Sequence, residues 1–104
     1  MRRPTPLLIE ERVEASGPRL TLSGELDLTT NCTLRQRLFQ SRAAGDEVRL
    51  DVSQLEFIDA GGAGLLSRAF ANSQRHGWRL KIDSAIQPQV ARVLELIGLE
   101  LPTS

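Results

Sequence analysis

Apolar residues recur at two spacings along this chain, every second position in some stretches and every third or fourth in others. The switches between the two mark out the elements. Leu7 to Glu14 predicts a strand with Leu7, Ile9 and Val13 facing inward, after a flexible tail at 1–6. Ser16-Gly17-Pro18 is a turn signal. Leu20-Thr21-Leu22-Ser23-Gly24 alternates as a second strand, so the pair predicts an antiparallel hairpin. Glu25-Leu26-Asp27-Leu28 leads to Thr29-Thr30, whose hydroxyls suit the N-cap of a helix. That helix runs to about Ala43, with Leu34 and Leu38 on its buried face and Gly45 as its stop.

Val48-Arg49-Leu50-Asp51-Val52 alternates again and predicts a strand at 47–53. Phe57-Ile58-Asp59 follows, and then a run of small residues, Ala60-Gly61-Gly62-Ala63-Gly64. A helix leaves this turn and reaches about His76, with Leu65, Leu66, Ala69 and Phe70 inward and Arg68, Gln74 and Arg75 outward; Gly77 ends it. Trp78 to Ile82 alternates as another strand. Pro88 suits the first turn of a last helix with Val90, Val93, Leu94 and Ile97 on its apolar face, Gly98 as its cap, and a short edge strand at Leu99-Glu100-Leu101. The order β-β-α-β-α-β-α describes one mixed α/β sheet with helices against it. Leu34, Leu50, Val52, Leu65, Phe70, Leu80 and Leu94 are its expected core.

Composition narrows the function. The 104 residues fit one domain, and 13 basic residues balance 13 acidic ones. Zero net charge disfavours generic nucleic-acid binding, which needs a cationic surface. With no tyrosine and 4% aromatic residues, stacking platforms for single strands are not expected either. Cys32 is the only cysteine, which excludes an internal disulfide and fits a reducing compartment. No apolar run reaches the roughly 18 residues of a membrane span, and the start of the chain does not read as a signal sequence. The expected location is the cytoplasm.

The turn chemistry argues against catalysis. Asp27 and Asp59 both stand at strand-to-helix turns, where a carboxylate pair could act as acid and base or could simply accept backbone N–H bonds. His76, the only histidine, sits at a helix C-terminus, where the dipole favours it. No serine lies in the Asp59 turn to complete a triad. Gly61-Gly62-Ala63-Gly64 lacks the spacing of a dinucleotide fingerprint and the Lys-Ser/Thr ending of a P-loop. No metal-ligand cluster is present. The chain is read as a non-enzyme without cofactor or metal, a protein-interaction module.

The sequence resembles a known family through several motifs in order: Gly24-Glu25-Leu26-Asp27; the threonine-capped helix with Leu34-Arg35 and Leu38; Leu50-Asp51-Val52-Ser53; Phe57-Ile58-Asp59 with its small-residue turn and Gly64-Leu65-Leu66; and Val90 to Leu99. Together they are similar to the STAS domain of bacterial anti-sigma factor antagonists, from about Leu20 to Leu101 within a domain at 7–104. The resemblance implies a sheet of four to five strands with three to four helices mainly on one face. It implies a non-enzymatic partner-switching regulator that binds an anti-sigma factor which is also a serine kinase. The implied partner surface comprises Asp27, Thr29, Thr30, Asp59, Ala60, Gly61, Gly62 and Gly64. Charge reversal at Asp59 or a bulky residue at Gly62 is expected to abolish binding with little effect on unfolding.

Family members carry a phosphorylated serine or threonine just after the aspartate. This chain has Gly61 at the equivalent position, or Ala60 if the alignment slips by one, and neither has a hydroxyl. Ser67 is six residues past Gly61, about 9 Å of rise and roughly 240° of rotation away on a helix. The phospho-switch is therefore expected to be absent, leaving the chain locked for binding or controlled elsewhere, with Thr29 and Thr30 as the nearest hydroxyls. An alternative remains open: the small STAS subunit of a lipid-asymmetry ABC transporter, which docks on the ATPase subunit and also carries an Asp-x-Gly-Gly turn. That branch has threonine where this chain has Ala60. Response-regulator signalling scaffolds are a third possibility.

Overall fold

The computed structural model describes residues 5–43, 47–83 and 85–96. The elements are β1 (Leu8–Glu14), β2 (Gly17–Leu26), α1 (Asn31–Ala43), β3 (Glu47–Ile58), α2 (Ala60–His76), β4 (Arg79–Ile82) and α3 (Pro88–Leu96), in the predicted sequence. Four strands make one sheet in the order β1-β2-β3-β4. β1 is antiparallel to β2, while β2, β3 and β4 are parallel, so the sheet is mixed. The steps β2–α1–β3 and β3–α2–β4 move the same way across the sheet. Right-handed crossovers, which twisted strands favour, then lay both helices over the same face. α3 joins them there through Val90 and Leu94, both fully buried. The expected stops at Gly45 and Gly98, the Ile97 contact and the edge strand at 99–101 fall outside the described residues, as do residues 1–4 of the tail.

One face of the sheet is apolar. Leu20 and Leu22 of β2, Val48, Leu50 and Val52 of β3, and Leu80 and Ile82 of β4 meet Leu34, Leu38, Leu65, Leu66, Val90 and Leu94 from the helices. Of the expected core residues only Phe70 is less than buried, packed at the margin. Val13 is a correction. It was expected to face inward but is 81% exposed, because it lies at the far end of the outer strand, where none of the described helices covers it. The turn before β2 is also tighter than expected. Glu14 pairs with Gly17, so the loop is only Ala15-Ser16 and Gly17 already belongs to the strand.

β3 corrects a second expectation. It does not stop at 53 but continues through twelve residues to Ile58. Its buried positions are Val48, Leu50, Val52, Leu55 and Ile58, two steps of two followed by two of three. Each long step coincides with a slip in register against β2: Thr21 pairs with Asp51 but Ser23 with Gln54, and Gly24 pairs with Leu55 but Glu25 with Phe57. An extra residue at each slip restores the apolar face and bends the strand, as β-bulges do.

The opposite face is polar. Arg19 reaches Asp83 at 2.6 Å, Asp51 at 3.2 Å and Glu14 at 3.8 Å, and Lys81 reaches Glu47 at 3.3 Å. Partial burial pushes the Asp51 carboxyl up, but the Ser53 hydroxyl and N–H together with Arg19 outweigh it and hold it below the ordinary value. At Glu47, partial burial is likewise outweighed by Lys81, Ser16 and Arg49. Both carboxylates have depressed pKa values in the folded chain, so their contribution is present above the unfolded value near 4. It is lost as pH falls through the folded values. The urea midpoint should drop between about pH 7 and about pH 3, and Asp51→Asn should shrink that drop. An unchanged drop in the variant would assign the acid sensitivity to other groups.

Candidate functional site

Parallel strands end at the same edge of a sheet, so the turns that leave β2 and β3 emerge side by side. The β2–α1 loop holds Asp27, Leu28, Thr29 and Thr30; the β3–α2 turn holds Asp59 and the first turn of α2. Asp59 joins them. Its Oδ1 accepts from the Gly62 N–H at 2.8 Å and caps α2. Its Oδ2 accepts from the Leu28 N–H of the other loop at 3.2 Å. The Asp59 N–H in turn donates to the Leu26 carbonyl, at 3.2 Å. The structure therefore brings together Asp27, Thr29, Thr30, Asp59, Ala60, Gly61 and Gly62. Gly64 lies one turn further along α2, beneath the Arg68 side chain.

Asp27 organises its own loop. Its Oδ1 accepts from the Thr29 hydroxyl at 2.7 Å, the Thr29 N–H at 2.9 Å and the Thr30 N–H at 3.1 Å. The Thr29 hydroxyl first, then the Thr29 N–H and the Thr30 groups, hold this carboxyl below its usual range against a smaller opposing effect of desolvation. The expected threonine cap of α1 is not formed in the way anticipated. Thr30 directly precedes the helix, but its hydroxyl turns back, accepting from the Asp27 N–H at 3.0 Å and donating to the Glu25 carbonyl at 3.1 Å. The first turn of α1 is closed by backbone alone, with Asn31 N–H on the Asp27 carbonyl and Thr33 N–H on the Thr30 carbonyl. The hydroxyl serves the end of β2, where β1 no longer pairs with it beyond Ser23.

Both aspartates are thus engaged by backbone N–H groups, the turn-building alternative to an acid–base pair. Among the described residues no group of three or more His, Cys, Asp or Glu could hold a metal. His76 and Arg75 close the last turn of α2, the end where cations are favoured, and Gly77 stops it in the left-handed conformation.

The glycines of the turn differ in kind. At Gly62 an added Cβ would stand 2.5 Å from the Leu26 carbonyl oxygen and 2.9 Å from Leu26 Cγ, because α2 starts pressed against the end of β2. At Gly61 it would meet Asp59 Oδ1 at 3.3 Å and Leu28 Cδ1 at 3.4 Å, side-chain contacts that a small shift of the carboxylate and of the exposed leucine relaxes. These contacts argue against the expectation that Asp59 and Gly62 could be altered with unfolding unchanged. Asp59 ties two loops and Gly62 permits the closest contact, so both hold the surface in shape. Asp59→Ala should cost about 1–2 kcal/mol in a denaturant melt, the loss of a helix cap.

The residue that sequence reasoning missed is Leu28. It is 72% exposed between the two acidic turns and touches the Gly61 position. An apolar residue between Asp27 and Thr29, inside a turn with nothing to alternate against, was the available signal. Elsewhere, Leu38, Leu65, Ala69 and Trp78 line a groove of about 220 Å³ between α1 and α2, with Arg35 and Arg68 at its rim. It is smaller than the roughly 300–1,000 Å³ of most cofactor pockets.

Comparison with known proteins gives a consistent picture. A family model described as "Mlab, STAS domain" matches residues 9–101. The anti-sigma-B factor antagonist of Bacillus subtilis (strain 168) is 22% identical over 82 residues, covering 79% of this chain and 74% of that protein. An anti-sigma factor antagonist from Mycobacterium paratuberculosis superimposes with a TM-score of 0.79 at 17% identity, covering 100% of this chain and 92% of the other. The Bacillus cell fate determinant SpoIIAA in its phosphorylated form gives 0.67 at 20% identity, covering 95% and 93%. At these identities the superpositions speak to the fold: an α/β sheet with, among the described residues, four strands and three helices, similar to that of the antagonists.

Proposed function

The chain belongs to the STAS domain family, and from that premise we propose that it is an anti-sigma factor antagonist-like regulator whose partner surface is the joined pair of loops around Asp59. The family is generally non-enzymatic. The partner in this reading is an anti-sigma factor with serine-kinase activity, and the place of action is the cytoplasm. No helix among the described residues is long and apolar enough to cross a membrane. The observation that carries the reading is the Asp59 clip. It sets exposed Leu28, Thr29 and Ala60 on one surface with the first turn of α2. An exposed apolar residue beside a helix N-terminus suits docking by a protein.

No residue from 59 to 66 carries a hydroxyl, so this copy has no acceptor at the family's switch position. In this reading it stays competent to bind unless Thr29 is used. Thr29 is exposed, whereas the Thr30 hydroxyl is held between Asp27 and Glu25. A phosphate there would bring roughly −1.5 to −2 charges beside the Asp27 carboxylate and break its hydroxyl bond.

The test is to incubate the purified chain with the kinase and ATP and map phosphate by mass spectrometry. No phosphate on the wild type is expected, and Gly61→Ser should be modified and then released from the kinase. Modification of wild-type Thr29 with loss of binding would move the switch to the first loop. A Gly61→Ser chain that binds and is never modified would speak for a non-kinase partner. That is the second reading, docking on a transporter ATPase, which is supported by the paired Gly61-Gly62 and by the description of the matching family model. Leu28→Asp should weaken binding of either partner and leave the melting temperature within a few degrees, since Leu28 is exposed.

A further inference from the structure

We propose that the outer edge of β1 pairs with the same edge of a second copy of this chain, in the antiparallel register centred on Glu11, joining two four-stranded sheets into one. β1 is the margin of the sheet, and among the described residues nothing pairs with its outer side. Such an edge offers a row of backbone donors and acceptors. A two-fold axis through the sheet keeps each face in register, so it must pass through a residue and not between two.

Three centres keep most of the strand paired, and their side chains discriminate between them. Centring on Glu10 sets Leu8 against Arg12, Ile9 against Glu11, and Glu10 against itself. Centring on Arg12 sets Glu10 against Glu14 and Arg12 against itself. Centring on Glu11 sets Ile9 against Val13 and Glu10 against Arg12, each twice by symmetry. Leu8 then lies along the stem of Glu14. The apolar pair accounts for Val13, 81% exposed on the helix side of the sheet.

The charged pair answers a defect of the single chain. Arg12 stands directly across from Arg19 in the β1–β2 ladder. Neither Glu10 nor Arg12 has an ion-pair partner among the described residues. The one unfavourable meeting, Glu11 with Glu11, is already relieved. The Glu11 carboxylate is drawn onto α1 by the Ser41 hydroxyl at 2.8 Å and by Arg37 at 3.8 Å. The Asp59 turn lies at the far ends of β2 and β3 and is left uncovered, so this proposal is independent of the partner reading above.

A charge exchange tests it. Wild type should show a concentration-dependent mass rising toward twice the 11.5 kDa of one chain in sedimentation equilibrium. Glu10→Arg sets arginine against Arg12, and Arg12→Glu sets glutamate against Glu10. Each alone should weaken self-association by about tenfold. The two variants mixed should recover it as a heterodimer, and the double variant should recover it alone. Circular dichroism melts should show no loss of stability, since both side chains are exposed and Arg12→Glu sets a carboxylate across from Arg19. A wild type that stays at one chain mass into the millimolar range overturns the proposal. So do single variants that associate as well as wild type, or a mixture that fails to recover.

Discussion

Gly62→Val is expected to destabilise the fold by about 3 kcal/mol, while Gly61→Ala, one residue earlier, should stay within about 1 kcal/mol of wild type. The contrast follows from what a Cβ meets. At Gly62 it meets the carbonyl of Leu26 at 2.5 Å, main chain fixed by the β2–β3 ladder and unable to step aside. At Gly61 it meets only side-chain atoms within 3.4 Å, the Asp59 Oδ1 at 3.3 Å and the tip of solvent-exposed Leu28 at 3.4 Å, each of which needs to give by no more than a few tenths of an ångström. Urea unfolding of the two variants separates the cases. Equal stability would mean that α2 does not start as close to β2 in solution, and the joined loops would lose their anchor. If both fold but only Gly61→Ala binds a partner, the contact shapes recognition as well.

Leu66→Ala should cost about 2–5 kcal/mol, and Leu65→Ala should fall toward the lower end of that range. Leu66 is fully buried, and truncating it leaves a void that rigid strands and helices cannot collapse. Leu65 is also in the core, but it borders the groove between α1 and α2, so its loss enlarges a space that solvent already reaches. Thermal or denaturant melts decide. A cost below about 1 kcal/mol at Leu66 would contradict the register of α2 on the sheet.

The fold was legible where one period held. Val48, Leu50 and Val52 announce a strand, Leu65 with Leu66 and Ala69 announces a helix face, and Pro88 and Gly77 punctuate helices by backbone chemistry. It was illegible where the period changed inside an element. From Val52 to Leu55 to Ile58 the spacing becomes three, which reads as the end of a strand. The structure shows the strand bulging twice and continuing. Val13 misled for a different reason: alternation tells which face a residue is on and not whether anything covers that face.

At the site, Asp27 and Asp59 could be found because acidic residues at strand-to-helix turns have few other uses. Their tasks could not, since Asp59 bonds to Leu28 thirty-one positions away and only parallel pairing brings the two together. The direction of the Thr30 hydroxyl was equally hidden, because a hydroxyl before a helix serves the helix or the strand according to which has unpaired groups.

Trp78, the chain's only tryptophan in the absence of any tyrosine, gives the molecule a built-in optical probe. It is nearly buried where α2 hands over to β4, its indole N–H donating to Asn72 at 3.1 Å, and it forms one wall of the α1–α2 groove. Its fluorescence therefore reports from a single known place. Loss of the helix layer should shift its emission to the red. Events confined to the Asp59 turn should leave it silent, so that a partner which changes its colour must reach the seam between the two helices.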